Sequence, residues 1–252
     1  MTQNINRLAA SITYSSSKQT YYTIKFLVDR PLVFDAYKAY AYYRWLDDQV
    51  DNNSHPSQGI AFIKRQRQII NRAYKRLSLP KLSPKEKMIV ELIYTDTQPN
   101  SQLTSFIRNF FSVIEFDAHR IGRPITQAEL DWYSKTIGIA VTDCIQYFIG
   151  HNQTYPVSKD QYLAATAAHI IHMLRDFQDD IKQGFINLPA NVSPQDLNVW
   201  VKNRISLARG YFKKGKAYIN QIKNLRCRLA ALAYCARFER CISNIQKASY
   251  SL

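Results

Sequence analysis

Apolar positions along the chain recur at helical spacing, in long segments separated by short polar connections. Residues 31–51, PLVFDAYKAYAYYRWLDDQVD, read as one apolar helix that turns acidic at its end. Residues 57–77 read as a basic amphipathic helix. Ser83-Pro-Lys-Glu86 is a capping box that opens a helix to about residue 95, and residues 101–120 form another, closed by Gly122 and Pro124. Thr126-Gln-Ala-Glu129 is a second capping box, opening a long apolar helix to about Gly150. Ser158 is expected to cap a helix running to about Gln183 and stopping at Gly184. Ser193-Pro194 opens a basic helix, and residues 224–247 form the last one. No internal repeat or linker interrupts this pattern. The expectation is one all-α domain over residues 1–252, with residues 1–16 as a flexible N-terminal extension.

Composition agrees with long helices. The chain has 252 residues and only seven Gly, and its nine Pro fall where helices start or stop. Apolar residues make up 46% of the chain, enough for a sizeable core. Cys144, Cys227, Cys235 and Cys241 form no CxxC pair and read as reduced, buried thiols of a cytoplasmic protein. No run approaches the roughly 20 apolar residues that span a bilayer, and the first residues carry no secretory pattern.

Formal net charge is +15, which points to an anionic partner: a phosphorylated substrate, a membrane surface or nucleic acid. No nucleic-acid module is recognisable, so nucleic acid is set aside as a partner. The acids say more. The chain has only 19, yet six sit in two short segments: Asp47, Asp48 and Asp51, and Asp176, Asp179 and Asp180. Asp47 and Asp51 are spaced i, i+4 and share a helix face with Arg44 and Tyr40. Asp176 and Asp180 repeat that spacing, with Arg175 adjacent and His172 and His169 on the same stripe. Like charges at i, i+4 destabilise a helix unless something compensates. Mg²⁺ does so, because it is held by a few carboxylates plus substrate phosphates. Two such helices facing each other would cage several ions and a diphosphate, the metals stabilising diphosphate as a leaving group. His172 is a further candidate for the metal or the diphosphate, since an imidazole ligates as a neutral ring and donates when protonated. His55, His119 and His151 read as loop or surface residues.

The segments YAYYRWLDDQVD and HMLRDFQDDIKQGFINLP resemble the two aspartate motifs of the squalene/phytoene synthases, in spacing and in order, including Gly184 and Leu188-Pro189. Between them, SVIEFDAHRIGRPITQAELDWYSKTIG resembles the stretch leading into that family's central helix, with Asp117 at its acidic position and Tyr133 beginning the helix. Lys18-Gln-Thr-Tyr21 stands where the family has a phosphate-binding stretch, Thr20 matching a hydroxyl position. The resemblance runs from about residue 17 to 247. It implies the class I isoprenoid synthase helical bundle with a central cavity. The implied reaction joins two prenyl diphosphates, C15 or C20, head to head through a cyclopropyl diphosphate.

By the same resemblance, Asp47, Asp48, Asp51, His172, Asp176, Asp179 and Asp180 would hold Mg²⁺, or Mn²⁺ in its place. Arg44, Arg175, Lys18, Thr20, Tyr133 and His169 would grip diphosphate, and Tyr40 would line the first site. NADPH as a reductant is left open. A cytoplasmic protein touching the membrane peripherally is implied. Several features depart from the family. His169 and His172 replace polar amides, Ile137-Gly-Ile-Ala-Val-Thr142 stands where the central helix usually carries a VAGxVG-like run, and Phe185 and Asn187 stand where an Arg and a Tyr are common. The alternatives are a class I terpene cyclase acting on one prenyl diphosphate, and a non-catalytic relative serving in membrane-associated assembly.

Overall fold

The computed structural model describes residues 2–51, 56–98, 100–151 and 153–247. Among these it is all α, with no strand and a single isolated bridge between Pro124 and Ile186. Its contacts cluster into two compact units, one of Met1–His119 with Tyr147–His151, the other of Arg120–Gln146 with Asn152–Leu252. No helix among the described residues is long and apolar enough to cross a membrane.

The first unit holds α1 (Thr2–Ser16), α2 (Lys18–Leu27), a 3₁₀ turn at Arg30–Leu32, α3 (Val33–Asp51), α4 (Pro56–Tyr74), α5 (Pro84–Thr95) and α6 (Gln102–Arg120, up to His119). The N-terminal extension expected to be flexible is instead α1. Ile5, Ala9 and Thr13 recur every four residues and are buried along one stripe, and α1 packs on α3 and α5. Helix α3 buries residues around most of its girth, including Tyr37, Ala41, Tyr42, Tyr43 and Leu46. Its phenols find partners, as buried hydroxyls must. Tyr43 donates to the Ile107 carbonyl at 2.8 Å, and Tyr42 donates to Gln66 at 3.2 Å. Gln66 in turn donates to Glu86 at 3.0 Å, so α3, α4 and α5 share one buried network. The Ser83 capping box forms as expected.

The second unit holds α7 (Gln127–Phe148, up to Gln146), α8 (Leu163–Arg175), α9 (Phe177–Lys182), α10 (Leu197–Ile219) and α11 (Leu225–Lys247). Thr126 and Glu129 exchange both capping-box hydrogen bonds at the start of α7. Helix α8 is almost wholly buried against α10 and α11. Small residues permit the approach: a Cβ at Gly215 would lie 2.4 Å from the Ala164 nitrogen, and one at Gly138 would lie 2.2 Å from Thr166 Oγ1 and 2.9 Å from its nitrogen. Gly138→Ala should therefore cost about 2 kcal/mol through overpacking. Thermal melting should show a fall of roughly 4–8 °C with helicity retained, and an unshifted melt would disprove so close a packing.

The helix expected over residues 158–183 is divided. Residues 158–162 form turns, with Ser158 Oγ accepting from the Asp160 N–H at 3.1 Å, and α8 begins only at Leu163. A second break falls at Asp176, whose φ of −97° and ψ of 7° separate α8 from α9. Backbone hydrogen bonds continue on both sides, from Asp176 to His172 at 3.0 Å and from Asp180 to Asp176 at 2.8 Å. The i, i+4 relation of the two aspartates therefore survives the bend. Similarly, Ser193 closes a turn with Asp196, and α10 starts at Leu197. Gly184, at φ +90°, ends α9, and its carbonyl accepts from the Gly122 N–H at 2.9 Å. That bond and the Ile125–Ile186 bond at 3.1 Å tie the loop before α7 to the segment after α9.

Candidate active site

The first carboxylate group lies at the C-terminal end of α3. Arg44 donates to Asp48 at 2.5 Å and to Asp47 at 3.4 Å. Asp47 is crowded. Burial, Asp51, Asp117 and Asp48 together push its carboxyl up to about 7, against the opposing pull of Arg44. Asp117 comes from α6, so two helices place acids around one carboxylate. One turn back, burial raises the Tyr40 phenol, although Arg44 and a hydrogen bond with Ser17 oppose the shift. Ser17 caps α2, accepting from the Thr20 N–H at 3.2 Å, and its hydroxyl meets the Thr20 hydroxyl at 2.9 Å. Thr20, Tyr40, Arg44 and Asp47 thus form a continuous polar track. Lys18 places its ammonium 5.7 Å from the centre of the exposed Tyr14 ring.

The second group spans the bend between α8 and α9. Arg175 donates to both oxygens of Asp176, each at 2.6 Å, and His172 Nε2 meets the same carboxylate at 2.8 Å. Burial pushes Asp176 up, but these bonds outweigh it and hold the carboxyl well below the usual range. Asp180 goes the other way: burial and Asp176 raise it to about 6, against His172, Asn187 and Arg120. Asn187, where the family commonly has Tyr, donates to Asp180 at 2.7 Å. Asp179 instead pairs with Lys182 at 2.8 Å on a surface where its side chain is 75% exposed.

Tyr133 and His169 lie together, ring centres 4.9 Å apart, with His169 Nδ1 3.4 Å from Ser134 Oγ. Burial, then His172, Arg204 and Arg120, hold His169 well below its usual value, so it enters the site as a neutral ring. His119 is exposed and His151 half-buried, while His55 lies outside the described residues.

Two residues escaped the sequence reading of the site, and a third entered it without a role. Ser17 had a signal, the cap position before Lys18-Gln-Thr20. Asp117 was noted as an acidic position without a role. Arg120 is 2% exposed, with its guanidinium 5.4 Å from the Tyr133 ring and 5.1 Å from the Phe185 ring. A buried arginine near Asp180 had no sequence signal, because its burial depends on the fold.

Among the described residues, no group of three His, Cys, Asp or Glu side chains is arranged to hold a metal by itself. The donor chemistry still fits a hard divalent cation. Each segment offers carboxylate oxygens, and of the two causes that raise Asp47 and Asp180, burial first and neighbouring like charge second, a cation relieves the second. One or two carboxylates per ion, with phosphate and water completing the shell, is the usual Mg²⁺ arrangement.

The all-α architecture among the described residues defines a class, the terpene-synthase-like helical fold. A solved structure of a cucumene synthase variant shares it at a TM-score of 0.54 and 11% identity, over 98% of this chain and 90% of that one. The family profile described as squalene/phytoene synthase matches residues 14–252, and the chain belongs to that family of isoprenoid-metabolising enzymes. No curated protein matches the sequence.

Proposed function

We propose that the chain is a Mg²⁺-dependent prenyltransferase that condenses two prenyl diphosphates, C15 or C20, head to head. The observation that carries this reading is the crowding of Asp47 by Asp51, Asp48 and Asp117. A protein of charge +15 that gathers its scarce acids around one carboxylate gains nothing in stability from doing so. The cluster makes sense as a cation site whose remaining ligands arrive with the substrate.

Asp47 and Asp51 are the proposed ligands at the first segment, and Asp176 and Asp180 at the second. Bound at either segment, a divalent cation would supply Lewis-acid neutralisation of the departing diphosphate. Asp48 and Asp179 are engaged by Arg44 and Lys182, which makes them supporting acids in this arrangement. Arg44 and Arg175 compensate the carboxylates in the protein alone and turn to diphosphate when substrate binds. Thr20, Ser17 and Tyr40 supply hydroxyl donors beside the first segment. Tyr133, His169 and Arg120 form an aromatic and cationic support under the second.

His172 orients Asp176. His172→Asn keeps a donor but shortens its reach toward the carboxylate that His172 Nε2 meets at 2.8 Å. Turnover should fall severalfold, with the Mg²⁺ to Mn²⁺ preference unchanged. A changed metal preference would make His172 a ligand, and unchanged turnover in both metals would reduce it to packing.

Product analysis tests the reaction type. The protein is incubated with C15 and with C20 diphosphate in Mg²⁺, each with and without NADPH. A head-to-head cyclopropyl diphosphate or hydrocarbon is expected. A cyclised product of one substrate would make the chain a terpene cyclase. Absence of diphosphate release with either substrate would favour a non-catalytic relative.

A further inference from the structure

The hairpin of α4 and α5 takes no part in the proposed chemistry, yet it carries much of the chain's charge. Between Pro56 and Thr95 stand nine lysines and arginines against two acids, nearly half of the net charge of +15. Both acids are engaged: Glu86 pairs with Arg65 at 2.9 Å, and Glu91 with Lys38 of α3 at 3.1 Å. Arg67 is matched by Glu115 of α6. Lys64, Arg72, Lys75 and Lys81 are exposed and meet no carboxylate among the described residues.

Arg65, Gln68, Arg72 and Lys75 recur at i, i+3, i+7 and i+10, so they share one side of the chain's course over about 15 Å. The segment after α4 folds back beside that face and is held there by two arginines. Arg72 donates to the Ser78 carbonyl at 2.6 Å and to its hydroxyl at 3.1 Å. Arg65 donates to the Lys81 carbonyl at 3.3 Å. Between helix and segment lies an open groove of about 380 Å³, with aliphatic Ile69, Leu79 and Pro80 set among Arg65, Arg72 and Ser78. Arg72 bonds to neutral oxygens, so its charge stays available to an anion. A row of cations about 15 Å long exceeds one phosphate and matches roughly five residues of extended peptide at about 3.3 Å each. Single-stranded nucleic acid would call for rings on which its bases stack. Among the described residues no ring lines the groove, and Arg76 covers Tyr94, 4.2 Å from its centre.

We propose that this groove docks an acidic segment of a partner protein. Its carboxylates meet Lys64, Arg72, Lys75 and Lys81, and an aliphatic side chain rests against Leu79 and Ile69. Charge draws the segment in, and the aliphatic notch selects among acidic sequences. None of these residues belongs to the aspartate segments. Loss of turnover therefore leaves the docking untouched, and loss of docking leaves the catalytic reading untouched.

Fluorescence anisotropy tests it with a labelled synthetic peptide of about ten residues, glutamates around two central leucines, long enough to over-span the row of cations. The natural protein should bind this peptide with an affinity that falls as salt rises. Serines in place of the leucines should weaken binding about fivefold. Lys64→Glu/Lys75→Glu/Lys81→Glu, at exposed side chains, should weaken it about tenfold or more. Lys213→Glu/Lys214→Glu/Lys223→Glu makes the same change of charge on α10 and the turn after it, and should leave affinity within about twofold. Leu79→Ser should weaken the leucine peptide and leave the serine peptide alone, as a shared contact requires. Circular dichroism accompanies each variant. Three results would overturn the assignment: equal losses from the two triple variants, unchanged affinity of the folded hairpin variant, or equal binding of the leucine and serine peptides. Tighter hairpin-dependent binding to oligouridylate or to phosphatidylglycerol vesicles than to the peptide would overturn it too, by making the occupant a nucleic acid or a membrane.

Discussion

Asp47→Ala should lower turnover by at least about a hundredfold, the scale of removing one group that stabilises developing charge, while making the metal-free protein more stable. The two effects have one cause. Asp47 is pushed up to about 7 by burial and by Asp51, Asp117 and Asp48, so its ionised form is under repulsion in the folded state. Removing it relieves α3 and should raise the melting temperature at pH 8 in chelator. A carboxylate kept only for structure would behave in the opposite way. Asp176→Ala should match the loss of turnover but lower stability slightly, because Arg175 and His172 lose their shared partner. The checks are steady-state diphosphate release and thermal melts in chelator. If Asp47→Ala unfolds the protein, the residue is structural and the site loses its first ligand.

The pH dependence of metal binding should be large and of predictable sign. Asp47 has a folded value of about 7 and Asp180 of about 6, both raised by burial first and by like charge second. A carboxyl raised in the folded state adds stability at low pH, where it is protonated, and that contribution is lost as pH rises through the folded value. The metal-free protein should therefore melt at a lower temperature at pH 8 than at pH 5. Asp176 is depressed, so its contribution is complete above the ordinary carboxylate range and does not reverse this trend. A divalent cation competes with the same protons. Mg²⁺ affinity measured by calorimetry should strengthen from pH 5.5 to pH 8, and saturating Mg²⁺ should shrink the melting difference. Affinity that is flat with pH would mean that Asp47 and Asp180 are not ligands.

Much of this was legible in the sequence because it rested on local signals. Both capping boxes, the glycine stop at Gly184 and the i, i+4 aspartates are short-range patterns, and each formed as read. Helix α1 was missed because its buried stripe of Ile5, Ala9 and Thr13 becomes informative only when α3 and α5 are there to cover it. The division of residues 158–183 was missed because no Pro or Gly marks Asp176. The bend shows only in its backbone angles, and the hydrogen bonds continue on both sides. Site membership followed the same rule. Arg44 and Arg175 were found from adjacency in sequence. Asp117, Arg120 and Asn187 reach their carboxylates through tertiary packing, which spacing does not encode.

Metal dependence is the claim on which the proposed chemistry turns, and one measurement addresses it without knowledge of the product. Inorganic diphosphate released from C15 or C20 prenyl diphosphate is followed in Mg²⁺, then in excess chelator, then after Mg²⁺ is restored. Release should occur in Mg²⁺, stop under chelation and return on restoration, with a folded protein throughout. Undiminished release in excess chelator would show that the aspartate segments do not work through a divalent cation.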